Sequence, residues 1–289
     1  MNYEGNVIRP PSEADSIILQ VTVGCSHNRC TFCGAYKDVR FRIKEDHILD
    51  ADLEFAARYC NRQSRVFLAD GDALILSQKR LTGILEKIRS RMPWVKRVST
   101  YGNAKAIRSK THAQLLALKA LGLDRIYMGL ESGNDTGLLH IKKGETAQSM
   151  IDAAQRVRAA GIFLSVTVLL GIGGLELSAQ HAEDTGVVLS RMAPRQIAAL
   201  TLMPLPGTPL FSQMLSGEFR PCNAQGILKE LQALVQTINL DRVQFHANHA
   251  SNYLPIAGRL LKDKEAILKA IEHALQDKTL LVPERMRAL

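Results

Sequence analysis

Three cysteines, Cys25, Cys30 and Cys33, stand within nine residues in the stretch GCSHNRCTFC, a C-x4-C-x2-C spacing. The other two of the chain's five cysteines, Cys60 and Cys222, lie far from the trio and from each other. In a reducing compartment, thiols clustered in one short loop bind metal or do chemistry more often than they form disulfides. Three centres compete for the loop. Zinc asks for four closed ligands, usually from two knuckles or Cys/His pairs, whereas this loop has one C-x2-C knuckle with His27 inside it. A plant-type [2Fe–2S] centre uses this spacing with a distant fourth cysteine, and Cys60 stands where that ligand would fall. Cys60 also ends a helix-period stretch, LEFAARYC, where a cysteine serves as a small buried apolar residue. A [4Fe–4S] cluster held by three thiolates leaves one iron open, and an open position separates a catalytic metal site from a structural one.

The elements around the loop alternate strand and helix. Apolar, β-branched runs occupy 16–23, 65–69, 95–101, 125–130, 162–170 and 196–203. Between them, apolar residues recur at three- and four-residue spacing over about 46–63, 77–91, 111–121, 145–160 and 178–191. Continuously apolar strands linked by helices build a parallel sheet covered on both faces. No strand–G-x-G-x-x-G–helix unit occurs in the first half, as a dinucleotide-binding fold would carry. The expected class is α/β: a partial (β/α)6 TIM-like barrel with a small C-terminal helical extension. Residues 1–15 are read as an N-terminal arm and 16–205 as the core barrel. Residues 206–289 would cover or close it, with helices near 224–239 and 262–276. Active sites of such barrels gather on loops at the C-terminal ends of strands, and the cysteine loop follows the first strand.

With Phe32 directly before its third cysteine, the loop resembles that of the radical S-adenosylmethionine (SAM) superfamily. The usual spacing there is C-x3-C-x2-C, and this chain carries one residue more in the first gap. The resemblance runs from about residue 16 to 205. It is closest to the branch shared by coproporphyrinogen-dehydrogenase-like, Elongator-acetyltransferase-like and methylthiotransferase-like enzymes. It implies that Cys25, Cys30 and Cys33 hold a [4Fe–4S] cluster and that S-adenosylmethionine chelates the fourth iron. Reductive cleavage would then yield a 5′-deoxyadenosyl radical that abstracts hydrogen from a substrate. Around that cofactor the resemblance implies Phe32; Gly71 and Asp72, where the family has a Gly-Gly-Glu-like stretch; Asn103; Glu131 and Ser132 on the ribose side; Lys143 on the SAM carboxylate; and Thr167 and Gly171 toward the adenine. Gly71–Asp72 also reads as an ordinary Asp-Gly turn, Asn103 as a turn residue, and Lys142 as the solvated neighbour of Lys143.

A polar stretch, FHANHASNYLP at 245–255, carries His246, Asn248, His249, Asn252 and Tyr253. It reads as a turn satisfying its own backbone, as a lid or substrate lining, or, from its two histidines, as a metal pair. Composition sets the remaining bounds. Hydrophobic residues make up 46% and charged residues 22%, an ordinary globular balance. No apolar run reaches the roughly eighteen residues a bilayer needs, and the first residues lack a signal-peptide pattern. A cytoplasmic location and no membrane partner are expected. The net charge of +9 favours an anionic partner, although Lys and Arg are scattered in the manner of a solvated surface. A small anionic metabolite is placed ahead of RNA as substrate, with flavodoxin or ferredoxin as the electron donor that the resemblance implies. An RNA-modifying enzyme and a non-enzymatic iron–sulfur electron carrier or sensor are the alternatives. The short arm is expected to leave no room for a cobalamin domain, and isolated Cys60 and Cys222 count against a second cluster. Oligomeric state is not encoded legibly.

Overall fold

The apolar run 16–23 does not form one strand. In the computed structural model, which describes residues 1–289, β1 (Ile17–Gln20) stops one residue short of β2 (Thr22–Val23). β2 turns away to pair antiparallel with β3 (Arg42–Ile43). Val21 N still donates to Ala69 O at 2.6 Å, but the next strand's continuation is taken by a side chain: Asp70 N donates to Thr22 Oγ1 at 3.1 Å. The break delivers the chain into the cysteine loop. Next come α1 (Asp46–Tyr59), β4 (Arg65–Ala69), α2 (Gln78–Arg91), β5 (Arg97–Tyr101), α3 (Ala104–Arg108), α4 (His112–Ala120) and β6 (Leu123–Glu131).

Two compact units divide the chain. The first comprises Met1–Asn28, Ala35–Met128 and Gln155–Leu164. Within it β1, β4, β5 and β6 lie parallel in that order. Val66, Leu68, Leu81, Leu85 and Ile88 build its core, each almost wholly buried, as expected of strands covered by helices. On the other side of β4, Phe67 and Ala69 pack with Tyr127, Ile18, Tyr101 and Val7. The arm is therefore folded in: buried Glu13 accepts from Tyr127 Oη at 2.6 Å and Ser16 Oγ at 2.5 Å, and Arg97 stands 3.0 Å away. Local chemistry sets the helix starts. Ser77 caps α2, Asn103 caps α3, and Thr111 with Gln114 closes a capping box on α4.

The second unit comprises Arg29–Gly34, Gly129–Ala154 and Ser165–Leu289. From β6 onward the chain forms α5 (Asp135–His140), α6 (Ala147–Ala159), β7 (Phe163–Leu170), α7 (Gly174–Met192), β8 (Gln196–Thr201), α8 (Pro209–Ser216), α9 (Ala224–Thr237), β9 (Val243–Ala247), β10 (Ile256–Leu260) and α10 (Lys264–Gln276). β7, β8 and β9 are parallel, and β10 returns antiparallel along β9. The tail is thus not purely helical, as its composition suggested. Val243, Phe245 and Ala247 alternate buried with half-buried Gln244 and His246, a period-two strand disguised by its polar residues. Helix α7 starts earlier than the apolar period indicates, directly after the glycine loop that ends β7.

Candidate active site

In the first unit, the strand-end loops converge on Cys25 and Asp72. Gly71 touches the cysteine loop directly: a Cβ there would lie 2.9 Å from Cys25 Cβ and 2.8 Å from the Tyr36 ring. Only glycine allows the two loops to approach so closely. Asp72 is wholly buried. Its Oδ2 accepts from Ser26 Oγ at 2.5 Å and Asn103 Nδ2 at 2.7 Å, and its Oδ1 accepts from Asn103 N at 3.1 Å. Asn103 in turn takes Ala106 N at 2.7 Å as the cap of α3. The loops after β2, β4 and β5 are therefore tied by one carboxylate, and Gly71, Asp72 and Asn103 occur together with Cys25.

In the second unit, Thr31 anchors the segment that carries Cys30, Phe32 and Cys33. Thr31 N donates to Ile141 O and Leu210 N donates to Thr31 O, both at 3.0 Å. Phe32 packs against Leu138, Ile141, Ile172 and Leu210. Beside this cluster lies an open cavity of about 190 Å³, walled by Ile141, Ile172, Gly173, Leu177, Leu210 and Phe219 among others. None of the three loop cysteines is in a disulfide, and each is only partly buried. Soft thiolates on irregular backbone, only partly buried, fit an iron–sulfur cluster. No three His, Cys, Asp or Glu groups surround a single-ion position; cluster thiolates each bond their own iron rather than one shared ion.

After β6 the two charged residues singled out there, Glu131 and Lys143, form an ion pair with each other. Lys143 Nζ lies 2.9 Å from Glu131 Oε1, and both side chains are largely buried. Glu131 takes φ +64°, a left-handed conformation costing a non-glycine residue about 1–3 kcal/mol, a strain that functional sites tend to retain. Ser132 is buried and engaged on two sides: Asn134 N donates to its Oγ at 3.0 Å, and His181 Nδ1 lies 2.8 Å from the same atom. The other edge of that imidazole, Nε2, stands 3.4 Å from Glu230 Oε1. Glu230 also accepts from Gly171 N and from Ser178 Oγ, both at 2.5 Å. Gly171 has φ +82°, and a Cβ would lie 2.7 Å from Ile227 Cδ1. One buried chain, Ser132–His181–Glu230–Gly171, thus ties the β6 and β7 loops to α7 and α9. Thr167 sits mid-strand in β7 opposite Ala198, half-buried.

His181, Glu230, Asp70 and Tyr36 are missing from the sequence-derived set. Glu230 had a readable signal, since it lies on the face of α9 that also carries Ile227, Leu231 and Leu234. Asp70 had one too, as a carboxylate directly after an apolar strand. The polar stretch 245–255 divides. Asn252 is buried, its Nδ2 donating to Ala199 O at 2.9 Å and its Oδ1 accepting from Thr201 Oγ1 at 2.8 Å. It serves as a brace for β8. Tyr253 donates to Glu284 Oε2 at 2.6 Å beneath the Arg287 guanidinium, 3.9 Å from its ring. Burial, then the Glu284 bond, pushes its phenol up to about 12. His249 Nδ1 accepts from Ser251 N at 3.1 Å. Burial lowers the pKa of both His246 and His249. Asn248 is exposed. The Asn252 and Tyr253 side chains thus bond to groups distant in the chain, and of the three only the His249 side chain bonds within the stretch, to Ser251. Cys60 is the half-buried C-cap of α1.

The profile of the radical SAM superfamily matches residues 19–185, more than half of the chain. A 4′-phospho-dehydrooxetanocin synthase of Priestia megaterium is 23% identical over 209 residues, covering 64% of this chain and 28% of that protein. The chain therefore spans little more than a quarter of that curated relative. Among solved structures, coproporphyrinogen III oxidase (HemN) of Escherichia coli superposes with a TM-score of 0.58 at 16% identity, covering 76% of this chain and 51% of that one. The methyltransferase TsrM of Kitasatospora setae, solved with cobalamin and a [4Fe–4S] cluster, gives 0.57 at 18%, covering 69% and 39%. These likenesses carry the fold, an α/β partial TIM-like barrel, and no helix of this chain is long and apolar enough to cross a membrane. The superfamily's cofactors are a [4Fe–4S] cluster and S-adenosylmethionine, which sets aside the zinc and two-iron alternatives. The chain belongs to the radical SAM superfamily of enzymes.

Proposed function

We propose that Cys25, Cys30 and Cys33 ligate three irons of the cluster, that S-adenosylmethionine occupies the fourth, and that the enzyme acts on a small anionic metabolite by hydrogen abstraction. The observation that carries the reading is the C-x4-C-x2-C loop of three partly buried thiols outside any disulfide, whose first, Cys25, packs against Gly71 at a strand's C-terminal end. When bound, the cofactor pair supplies reductive cleavage of S-adenosylmethionine and, through it, removal of hydrogen from a substrate C–H bond. The protein's part is to bind and orient. Lys143 offers its ammonium to the carboxylate of S-adenosylmethionine, with Glu131 holding it in place. The cavity walled by Ile141, Ile172, Leu210 and Phe219, with His140, Gln213 and Glu218 also lining it, and the Gly171 loop suit a planar base. Asp72 and Asn103 keep the loops that face the cluster in register. An oxidative or rearranging outcome, a flavodoxin or ferredoxin as electron donor, and a cytoplasmic setting complete the proposal.

Anaerobic reconstitution tests it. The expected result is about four irons per chain and 5′-deoxyadenosine released from S-adenosylmethionine with dithionite. Both should be lost in Cys25→Ala, Cys30→Ala and Cys33→Ala and kept in Cys60→Ala. A colourless protein, or a cluster that never cleaves S-adenosylmethionine, sinks the proposal. The net charge of +9 supports a second reading, RNA as substrate. Tight, salt-sensitive binding of transfer RNA together with a mass change in that RNA would favour it over the metabolite.

A further inference from the structure

Asp70 follows β4 directly, 1% exposed, and no role described above uses it. One oxygen accepts a short hydrogen bond from the Tyr36 hydroxyl. The other accepts from Gly24 N at 3.1 Å and Gln20 Nε2 at 3.4 Å. Gly24 immediately precedes Cys25, and Tyr36 comes three residues after Cys33. A single carboxylate therefore grips the chain on both sides of the cysteine loop. The grip reaches Cys25 itself: Gly71 offers no room for a methyl between the Tyr36 ring at 2.8 Å and Cys25 Cβ at 2.9 Å. Burial raises the Asp70 carboxyl's pKa against the lowering effect of its donors. Burial, with the Asp70 bond, drives the Tyr36 phenol far above its usual range. An apolar residue would serve packing here at lower desolvation cost; what a carboxylate adds is directed bonds to two separate points of one loop.

We propose that Asp70 and Tyr36 are positioning residues that hold Cys25 where the cluster requires its sulfur. This rests on the assignment of Cys25 as a cluster ligand. Partners one shell out from metal ligands typically change metal affinity about 10–100-fold when removed. Tyr36→Phe deletes only the hydroxyl and keeps the buried ring. Asp70→Asn keeps the shape and loses one acceptor.

Two measurements decide it. In the iron-free protein, alkylation of Cys25 is followed by peptide mass spectrometry, with Cys60 and Cys222 as internal references. Both variants should label Cys25 several-fold faster with the references unchanged. In the reconstituted protein, loss of iron to a chelator should be at least about ten-fold faster, and the electron paramagnetic resonance of the reduced cluster should shift. Should Asp70→Asn fail to fold, Tyr36→Phe alone decides, because it removes no packing volume. Folded Tyr36→Phe with wild-type Cys25 labelling, chelator kinetics and resonance overturns the inference. Wild-type protein that takes up no iron overturns the proposed function instead, and the Cys25 labelling then still tells whether the grip exists.

Discussion

Truncating Glu230 to alanine should be among the most damaging single changes in the second unit. Its carboxylate is 2% exposed and faces three groups: Gly171 N and Ser178 Oγ, each at 2.5 Å, and His181 Nε2 at 3.4 Å. Ser178 is half-exposed and turns to water, so its loss costs little. Gly171 N and His181 Nε2 have no such escape. A buried donor left unpaired costs about 1–3 kcal/mol, so the two together cost about 2–6 kcal/mol, centred near 4. For a domain of this size about 1 kcal/mol moves the melting midpoint by about 2–4 °C, which predicts a fall of about 8–16 °C. Glu230→Gln keeps an acceptor and most of the volume. It loses only the ionic reinforcement of these bonds and should recover at least half of the shift. Thermal unfolding followed by circular dichroism reads both variants. A Glu230→Ala shift below about 2 °C, or a Gln variant as damaged as Ala, refutes the assignment of Glu230 as the acceptor that holds the Gly171 loop.

Gly71→Ala should prevent cluster uptake, because its methyl meets Cys25 and a Tyr36 ring that Asp70 holds in place. Gly83→Ala in α2, where nothing lies within 4 Å, should instead stabilise by about 0.5–1 kcal/mol; iron content and urea midpoints check the pair. His249 makes stability depend on pH. Its folded pKa lies below the ordinary 6.5, so as pH falls the unfolded chain takes up the proton first. The contribution is whole above about pH 7 and is lost as pH drops through 6.5 toward the folded value. His249→Gln should flatten the curve of melting midpoint against pH between 7 and 5, and an unchanged slope removes His249 from the account. Asn252→Ala should cost about 2–4 kcal/mol by stranding Ala199 O and Thr201 Oγ1 at the end of β8, measured by hydrogen exchange at residues 199–201.

Much of the fold was legible because it is written in local periodicity. Strands at 65–69 and 163–170 and helices at 46–59 and 78–91 fall where apolar repeats of two, three and four residues place them. β9 escaped notice because His246 and Gln244 interrupt its apolar residues, and the alternation is plain only once Val243, Phe245 and Ala247 are seen buried. The break at Val21 was invisible for another reason. It depends on Thr22 Oγ1 receiving Asp70 N, a bond between residues forty-eight apart in the chain.

By itself the sequence marked the candidate metal ligands. Three thiols at C-x4-C-x2-C spacing, with Phe32 between the last two, stay together in whatever order the rest of the chain folds, since they share a loop of nine residues. Alternating strand and helix periods likewise imposed an α/β class; strand-end positions singled out Gly71, Asp72, Asn103, Glu131 and Ser132, and the family resemblance added Lys143. Tertiary structure alone decided which groups meet. Ser132 reaches His181 and Glu230 across forty-nine and then a further forty-nine residues, Asp70 joins Gly24 to Tyr36, and Asn252 and Tyr253 turn out to brace β8 and the tail. Hydrogen bonds are directional and reach about 3 Å. Residue type marks a group as able to form one, whereas only the folded chain brings a partner within range.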